Sequence, residues 1–106
     1  MPRLLFVCSQ NKLRSPTAEA VFRGRAGLEV DSAGLNHDAV VPLSVEQLEW
    51  ADVVLVMETT HRNRLARRFK IHLKEKRVAV LGIPDEYDFM DPELIRLLEA
   101  RCRPYL

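Results

Sequence analysis

The chain has 106 residues, of which 47% are hydrophobic and 29% are charged, and its formal net charge is +1. This length predicts a single domain over residues 1–106, and the composition excludes a disordered chain, a collagen-like chain and a disulfide scaffold. The apolar run near the start is too short for a signal peptide or a membrane span. We therefore expect a cytoplasmic protein whose two cysteines stay reduced.

The charged residues are unevenly distributed along the chain. Residues 61–77 hold eight of the sixteen Lys and Arg residues, whereas residues 85–93 hold five acids and no base. A strongly basic helix is typical of a solvated surface, and the only aromatic residue within it is Phe69. We expect neither a nucleic-acid partner nor a membrane partner, and the oligomeric state stays open.

Short apolar runs alternate with helical stripes along the whole sequence. A capping box of Ser44 and Gln47 marks one helix start, and Asp91 followed by Pro92 marks another. The predicted elements are strand 4–7, helix 16–24, strand 28–31, helix 45–50, strand 52–57, a basic helix from 59 or 60, strand 78–81 and a helix from 92 to about 102.

This alternation predicts an α/β fold, a small doubly wound parallel four-stranded sheet with helices on both faces. In such folds ligands bind outside the carboxyl ends of the strands. The loops to consider are therefore 8–15, 31–43, 57–61 and 82–91.

The loop after the first strand has the form C-x5-R-S and runs into a helix. A loop of this length at a helix N-terminus directs backbone N–H groups inward and suits a tetrahedral oxyanion. Cys8 would be the nucleophile, since neighbouring amides and the helix dipole favour a thiolate. Arg14 would bind two phosphate oxygens with its planar guanidinium. Ser15 would donate a hydrogen bond to the sulfur, and Asn11 would brace the loop, whose other members are Ser9, Gln10, Lys12 and Leu13.

The stretch LLFVCSQNKLRSPTAEAVF, followed by VDSAG and ADVVLVMETTHRNRL, resembles the low-molecular-weight protein tyrosine phosphatases, in a short bacterial-type form. The resemblance spans nearly the whole chain, although the loops after residues 34 and 82 are shorter. Gln10 stands where family members commonly have Gly, and Leu13 where they often have a second cysteine. The resemblance also implies that Asp31 and Ser32 steady the phosphate loop.

This resemblance implies a flavodoxin-like fold of the phosphotyrosine phosphatase I type. It implies hydrolysis of a phosphotyrosine-containing protein or a small aryl phosphate through a phosphocysteine, with inorganic phosphate as product. The family's general acid lies in an Asp-Pro-Tyr loop, and two fragments here compete for that role. Asp85 is favoured because it follows the fourth strand. Asp91 is the alternative and ranks below Asp85, because an Asp-Pro pair before a helix is also the pattern of a helix cap; Asp88 is third. Tyr87 is predicted to line the pocket.

Two other functions remain open on the sequence. A thioredoxin-coupled arsenate reductase would need further thiols, and the only other one is Cys102, on the apolar side of the last helix. A non-catalytic module that binds phosphate or phosphotyrosine is the second. We expect no cofactor and no metal, because His37, His61 and His72 lack the paired spacing of metal ligands.

Overall fold

The structure, a computed structural model, describes residues 2–74 and 76–106. Its strands and helices in chain order are β1 (Arg3–Cys8), α1 (Arg14–Phe22), β2 (Glu29–Gly34), α2 (Val45–Trp50), β3 (Val53–Val56), α3 (Thr59–Phe69), β4 (Arg77–Val80) and α4 (Pro92–Cys102). Short 3₁₀ helices follow α3 and α4, at Lys70–Leu73 and Arg103–Tyr105.

The four strands form one parallel sheet in the order β2-β1-β3-β4. The chain passes from β1 to β2 on one side and then crosses to β3 on the other, so the strand order reverses at β1. Ligands of open parallel sheets bind at such a switch point, outside the carboxyl ends of the strands. The predicted α/β fold is confirmed, and the loop after β1 lies at the switch point.

Helices cover both faces of the sheet, which explains the unbroken apolar run of β1. Leu4, Phe6 and Cys8 belong to a cluster with residues of α1 and α4. Leu5 and Val7 belong to a second cluster, with residues of α2 and α3. Alternation along the strand therefore directs the Cys8 side chain to the α1 side of the sheet, at the strand's carboxyl end.

β2 is longer than the prediction of 28–31 and continues to Gly34. Ser32, Ala33 and Gly34 pair in register with Phe6, Val7 and Cys8 of β1. Small and polar residues carry no apolar periodicity, so only pairing with the neighbouring strand reveals this extension. A Cβ atom on Gly34 would lie 2.6 Å from the Ser9 carbonyl oxygen, so β2 and the loop after β1 approach closely.

Two helix boundaries bear on the site. α1 begins at Arg14 rather than at the predicted residue 16, which puts Pro16 in the first turn, where its missing N–H is not needed. Gly24, with a φ of +84°, follows the end of α1. Of the helices within the described residues, none combines the length and the apolar character needed to cross a bilayer.

Candidate functional site

Cys8 ends β1 and is almost completely buried, with 3% of its surface exposed. Its Sγ atom lies 3.0 Å from Ser15 Oγ and accepts a hydrogen bond of 3.3 Å from the Asn11 amide. Both partners come from the loop and the first turn of α1 that follow Cys8 directly in the chain. Two donors therefore converge on the sulfur, an arrangement that stabilises negative charge there.

Asn11 braces the loop from inside. Its φ of 57° lies in the left-handed region, which asparagine tolerates better than most residues. The side-chain Nδ2 donates to Ser15 Oγ and to Ser32 Oγ, both at 2.9 Å. Ser15 Oγ thus accepts from Asn11, and its own proton has two acceptors, the Cys8 sulfur at 3.0 Å and the Ala33 carbonyl at 3.5 Å, of which the sulfur is the nearer.

The second strand supports this brace through Ser32, as the resemblance implied. Ser32 Oγ donates to Glu19 Oε1 of α1 at 2.5 Å, which links β2, the loop and α1. Asp31 has a different contact, since its carboxylate accepts a hydrogen bond of 3.1 Å from Gln47 Nε2 of α2. It also accepts a hydrogen bond of 2.9 Å from the Ser32 amide, so Asp31 contacts α2 and its own strand and does not touch the phosphate loop directly.

Several backbone amides of the loop are available to a ligand. Within the described chain, no protein group accepts a hydrogen bond from the amides of Gln10, Lys12 and Leu13. These amides precede the N-terminus of α1, whose dipole adds positive potential. Successive free amides at a helix start are a common binding site for phosphate-like anions.

Arg14 is held by its Nη1 atom. Nη1 donates to Glu58 Oε2 at 2.7 Å and to the Ile83 carbonyl at 2.9 Å, and only 5% of the Arg14 side chain is exposed. Nε lies 3.8 Å from Asp85 Oδ1. With Nη1 engaged on the protein side, the Nε and Nη2 edge remains for two oxygens of a tetrahedral anion.

Sequence reasoning missed Glu58 and His61, which complete the site from the third strand's end and α3. The Glu58 amide donates to His61 Nδ1 at 3.2 Å, and His61 Nε2 lies 3.0 Å from Ser9 Oγ. Because Nδ1 already accepts an N–H, the neutral ring carries its proton on Nε2 and donates it to Ser9. The only available signal was their place in the loop 57–61, at the carboxyl end of a predicted strand.

The pKa of His61 is lowered from 6.5 to about 4 by burial and, next, by the Arg14 guanidinium. The ring is 2% exposed, and a proton on Nδ1 would face the Glu58 amide N–H that already points there. His61 is therefore neutral at pH 7 and serves as a fixed hydrogen-bond donor to the phosphate loop.

A cleft of about 180 Å³ opens above the sulfur. The residues that line it are Cys8, Ser9, Gln10, Lys12, Leu13, Arg14 and Asp85. Of the predicted site residues, Asn11 and Ser15 lie buried beneath the cleft. Tyr87 is not among the lining residues, in contrast to the prediction, because its ring packs against the apolar cluster of α1 and α4.

The two candidate acids are in different surroundings. Asp85 lies at the cleft, with 64% of its side chain exposed. Asp91 precedes α4 and accepts a hydrogen bond of 2.9 Å from the Glu93 amide, which is the contact of an N-cap. Of these two acids, Asp85 is therefore the one that the fold brings to the cleft of Cys8 and Arg14.

The second cysteine is remote from this chemistry. Cys102 is a free thiol with no exposed surface, and burial raises its pKa to about 12. Within residues 2–74 and 76–106, no group of three or more His, Cys, Asp or Glu residues has the arrangement of a metal site.

Comparison with known proteins finds similarity to one family over part of the chain. The family model "Low molecular weight phosphotyrosine protein phosphatase" matches residues 3–48. The protein-arginine-phosphatase of Bacillus subtilis (strain 168) is 35% identical over 94 residues, which cover 62% of this chain and 62% of that protein. The chain thus spans less than two thirds of that relative's length.

Two solved structures are similar over most of the chain. The low molecular weight protein tyrosine phosphatase SP-PTP from Streptococcus pyogenes has a TM-score of 0.80 at 17% identity, covering 100% of this chain and 91% of its own. The YwlE arginine phosphatase, as a cysteine-to-serine mutant with a phosphorylated active-site serine, has a TM-score of 0.75 at 25% identity. That similarity covers 97% of this chain and 92% of YwlE.

Proposed function

We propose that the chain belongs to the low molecular weight phosphotyrosine protein phosphatase family and that it hydrolyses phosphotyrosine or aryl phosphomonoesters through a phosphocysteine on Cys8. The observation that carries this proposal is the Cys8 sulfur, which lies beneath free loop amides and receives hydrogen bonds from Ser15 and Asn11. Substrates are phosphotyrosine-containing proteins or small aryl phosphates, and inorganic phosphate is released. The reaction uses no cofactor.

The first step transfers the phosphoryl group to sulfur. The phosphate oxygens bind the loop amides and the Nε and Nη2 edge of Arg14, which also stabilises the charge spread in the transition state. The Cys8 thiolate forms the S–P bond while the P–O bond to the aryl group breaks. Asp85 donates its proton to the departing phenolate oxygen.

The second step hydrolyses the phosphocysteine. The Asp85 carboxylate takes a proton from a water molecule, whose oxygen attacks phosphorus as the S–P bond breaks. The Ser15 hydroxyl, at 3.0 Å from the sulfur, stabilises the returning thiolate. Phosphate leaves, and Asp85 is again protonated for the next cycle.

A second candidate substrate is phosphoarginine, because the relative at 35% identity is a protein-arginine-phosphatase. The same sulfur would attack phosphorus, and Asp85 would protonate the departing guanidino nitrogen. Two peptides of one sequence, one with phosphotyrosine and one with phosphoarginine, separate the two candidates. A higher kcat/KM for the phosphotyrosine peptide supports the proposal, and the opposite order assigns the chain to arginine dephosphorylation.

The two other functions considered from the sequence receive less support. Arsenate reduction needs a relay of thiols, and Cys102 is fully buried in the core with its pKa raised to about 12. A non-catalytic binding module needs no carboxyl group at the cleft, whereas Asp85 lies there beside Arg14. We also propose a cytoplasmic location, because both cysteines are free thiols and Cys8 must stay reduced to react.

The test is steady-state hydrolysis of an aryl phosphate by the wild type, Cys8→Ser and Cys102→Ala. We expect vanadate-sensitive turnover in the wild type, complete loss in Cys8→Ser and near wild-type turnover in Cys102→Ala, which removes the chain's only other thiol. Mass spectrometry of acid-quenched wild-type enzyme should detect phosphate on Cys8. Vanadate-sensitive turnover that survives in Cys8→Ser would disprove the phosphocysteine mechanism.

A further inference from the structure

A second cleft, which we name the basic cleft, lies between α3 and the loop after β2. Its lining residues are Leu35, Asn36, His37, Asp38, Arg64 and Arg68, and its volume is about 380 Å³. None of these residues takes part in the proposed chemistry. The cleft therefore needs a separate explanation.

Two arginines of α3 dominate the charge of the basic cleft. Arg64 Nη2 donates to Asn36 Oδ1 at 2.7 Å, and Arg68 Nη1 donates to the Leu35 carbonyl. These bonds fix one nitrogen of each guanidinium and leave the others for a ligand. Among the described residues, no carboxylate lies within 4.0 Å of either guanidinium, and the one acidic residue in the lining, Asp38, is exposed. The basic cleft is thus suited to an anionic group.

The basic cleft adjoins the phosphate loop. The Asn36 amide donates to the Ser9 carbonyl at 3.0 Å, and the Val40 amide donates to the Gln10 carbonyl at 3.0 Å. One asparagine and two hydrogen bonds therefore separate Ser9 from the Arg64 guanidinium, a path of roughly 10 Å. An extended peptide advances about 3.3–3.6 Å per residue, so that path corresponds to two or three residues.

We propose that the basic cleft binds an acidic side chain of the substrate protein, two or three residues from the phosphorylated residue. The planar guanidinium groups of Arg64 and Arg68 match a carboxylate and are preoriented by their bonds to Asn36 and Leu35. This inference rests on the proposed function for the position of the phosphorylated residue. It adds that the enzyme selects substrates by an acidic flank as well as by the phosphate.

The test compares two phosphotyrosine peptides that differ only in carrying Glu or Gln at the second and third positions on both sides. We expect the wild type to favour the Glu peptide by about two- to fivefold in kcat/KM for each exposed charge pair formed. High salt should reduce this preference, because exposed charge pairs are screened.

The double variant Arg64→Gln/Arg68→Gln should bring the ratio of the two peptides close to one. Because the ratio is taken between two peptides on the same enzyme, any general effect of the substitutions on the loop cancels. The matched control is Arg62→Gln/Arg67→Gln, which removes the same charge from exposed positions of α3 outside the basic cleft. This control should keep the wild-type ratio.

Two results would overturn the inference: equal kcat/KM for the two peptides on the wild type, or the same loss of preference in both double variants. If neither an aryl phosphate nor a phosphopeptide is hydrolysed, the proposed function fails on its own. The two peptides are then compared by calorimetric titration of the wild type, where tighter binding of the Glu peptide still supports the basic cleft and equal affinity contradicts it.

Discussion

Replacing Asp85 by Asn tests which carboxyl group donates the proton. The amide keeps the size of the side chain but has no acidic proton, so the leaving phenolate must take its proton from water. A general acid contributes about 10²- to 10⁴-fold to such a transfer. The Asp85 side chain is 64% exposed, so water can partly substitute for it, and we expect a loss near 10²-fold in kcat/KM for a poor leaving group.

The size of this loss should depend on the leaving group. Asp85 also acts in the hydrolysis of the phosphocysteine, a step that is the same for every substrate, so the comparison uses kcat/KM, which reports only the steps up to formation of the phosphocysteine. A strongly acidic phenol departs without a proton, so kcat/KM for p-nitrophenyl phosphate should fall much less than kcat/KM for phosphotyrosine. Folding should hardly change, because the one ion-pair contact of Asp85 found within residues 2–74 and 76–106 is long, at 3.8 Å, and exposed. We expect the free energy of unfolding to change by less than about 1 kcal/mol.

For Asp91 we expect the opposite result, a loss of stability without a loss of activity, so its variants are the comparison for Asp85→Asn. Its carboxylate caps α4 by accepting from the Glu93 amide at 2.9 Å. Asp91→Ala should therefore lower the free energy of unfolding by about 0.5–2 kcal/mol and leave kcat unchanged, and Asp91→Asn should restore most of the lost stability, because Asn is also a good cap.

The assay is kcat/KM for a series of aryl phosphates of increasing leaving-group basicity, measured with each variant, together with urea unfolding of the same preparations. A steeper dependence on the leaving group in Asp85→Asn alone supports the assignment. The reasoning is refuted if Asp85→Asn keeps the wild-type dependence, or if Asp91→Ala steepens it at unchanged stability.

Two further predictions concern supports of the site, Gly34 and His61, and a third concerns the remote Cys102. Gly34→Ala should lower kcat/KM by about 10²-fold or more, because the new Cβ atom would lie 2.6 Å from the Ser9 carbonyl oxygen and would displace the phosphate loop. Wild-type kcat/KM in the purified variant would contradict this prediction. The pKa of His61 is lowered from 6.5 to about 4 in the folded protein. Between these two pH values the unfolded chain therefore binds a proton on His61 that the folded protein does not bind. The free energy of unfolding should therefore fall by about 2–3 kcal/mol as the pH drops from 7 to 4.5, and it should fall less in His61→Gln. Urea unfolding that gives the same pH dependence of this free energy for the wild type and His61→Gln would contradict the prediction. Cys102→Ala should cost about 1 kcal/mol of stability through a small core cavity and keep full activity, and loss of turnover without unfolding would reopen a thiol relay.

The phosphate loop could be predicted because its parts are close together in the chain. Cys8, Asn11, Arg14 and Ser15 lie within eight residues, so the strand before them and the helix after them determine their arrangement. The contacts of Cys8 with Ser15 and Asn11 agree with the roles expected from the sequence. The Cys8→Ser experiment tests the chemistry proposed for this loop.

The basic segment shows where the sequence pattern was less informative. It predicted a solvated helix face, and most of its arginines are indeed exposed. Yet His61 and Leu65 are buried, and Arg64 and Arg68 line the basic cleft against the loop after β2. A helical period distinguishes faces, but it does not say which segment of the chain each face will contact.

The sequence by itself determined the order of strands and helices, the parallel sheet and the phosphate loop, because these depend on local periodicity and on residues adjacent in the chain. Only the tertiary structure decided that Glu58 holds Arg14, that His61 holds Ser9 and that Asp85 rather than Asp91 lies at the cleft. The physical reason is that a parallel sheet brings the carboxyl ends of its strands to one edge, where residues far apart in sequence meet. Which of them form contacts there depends on strand order and packing, which leave no periodic signal in the sequence.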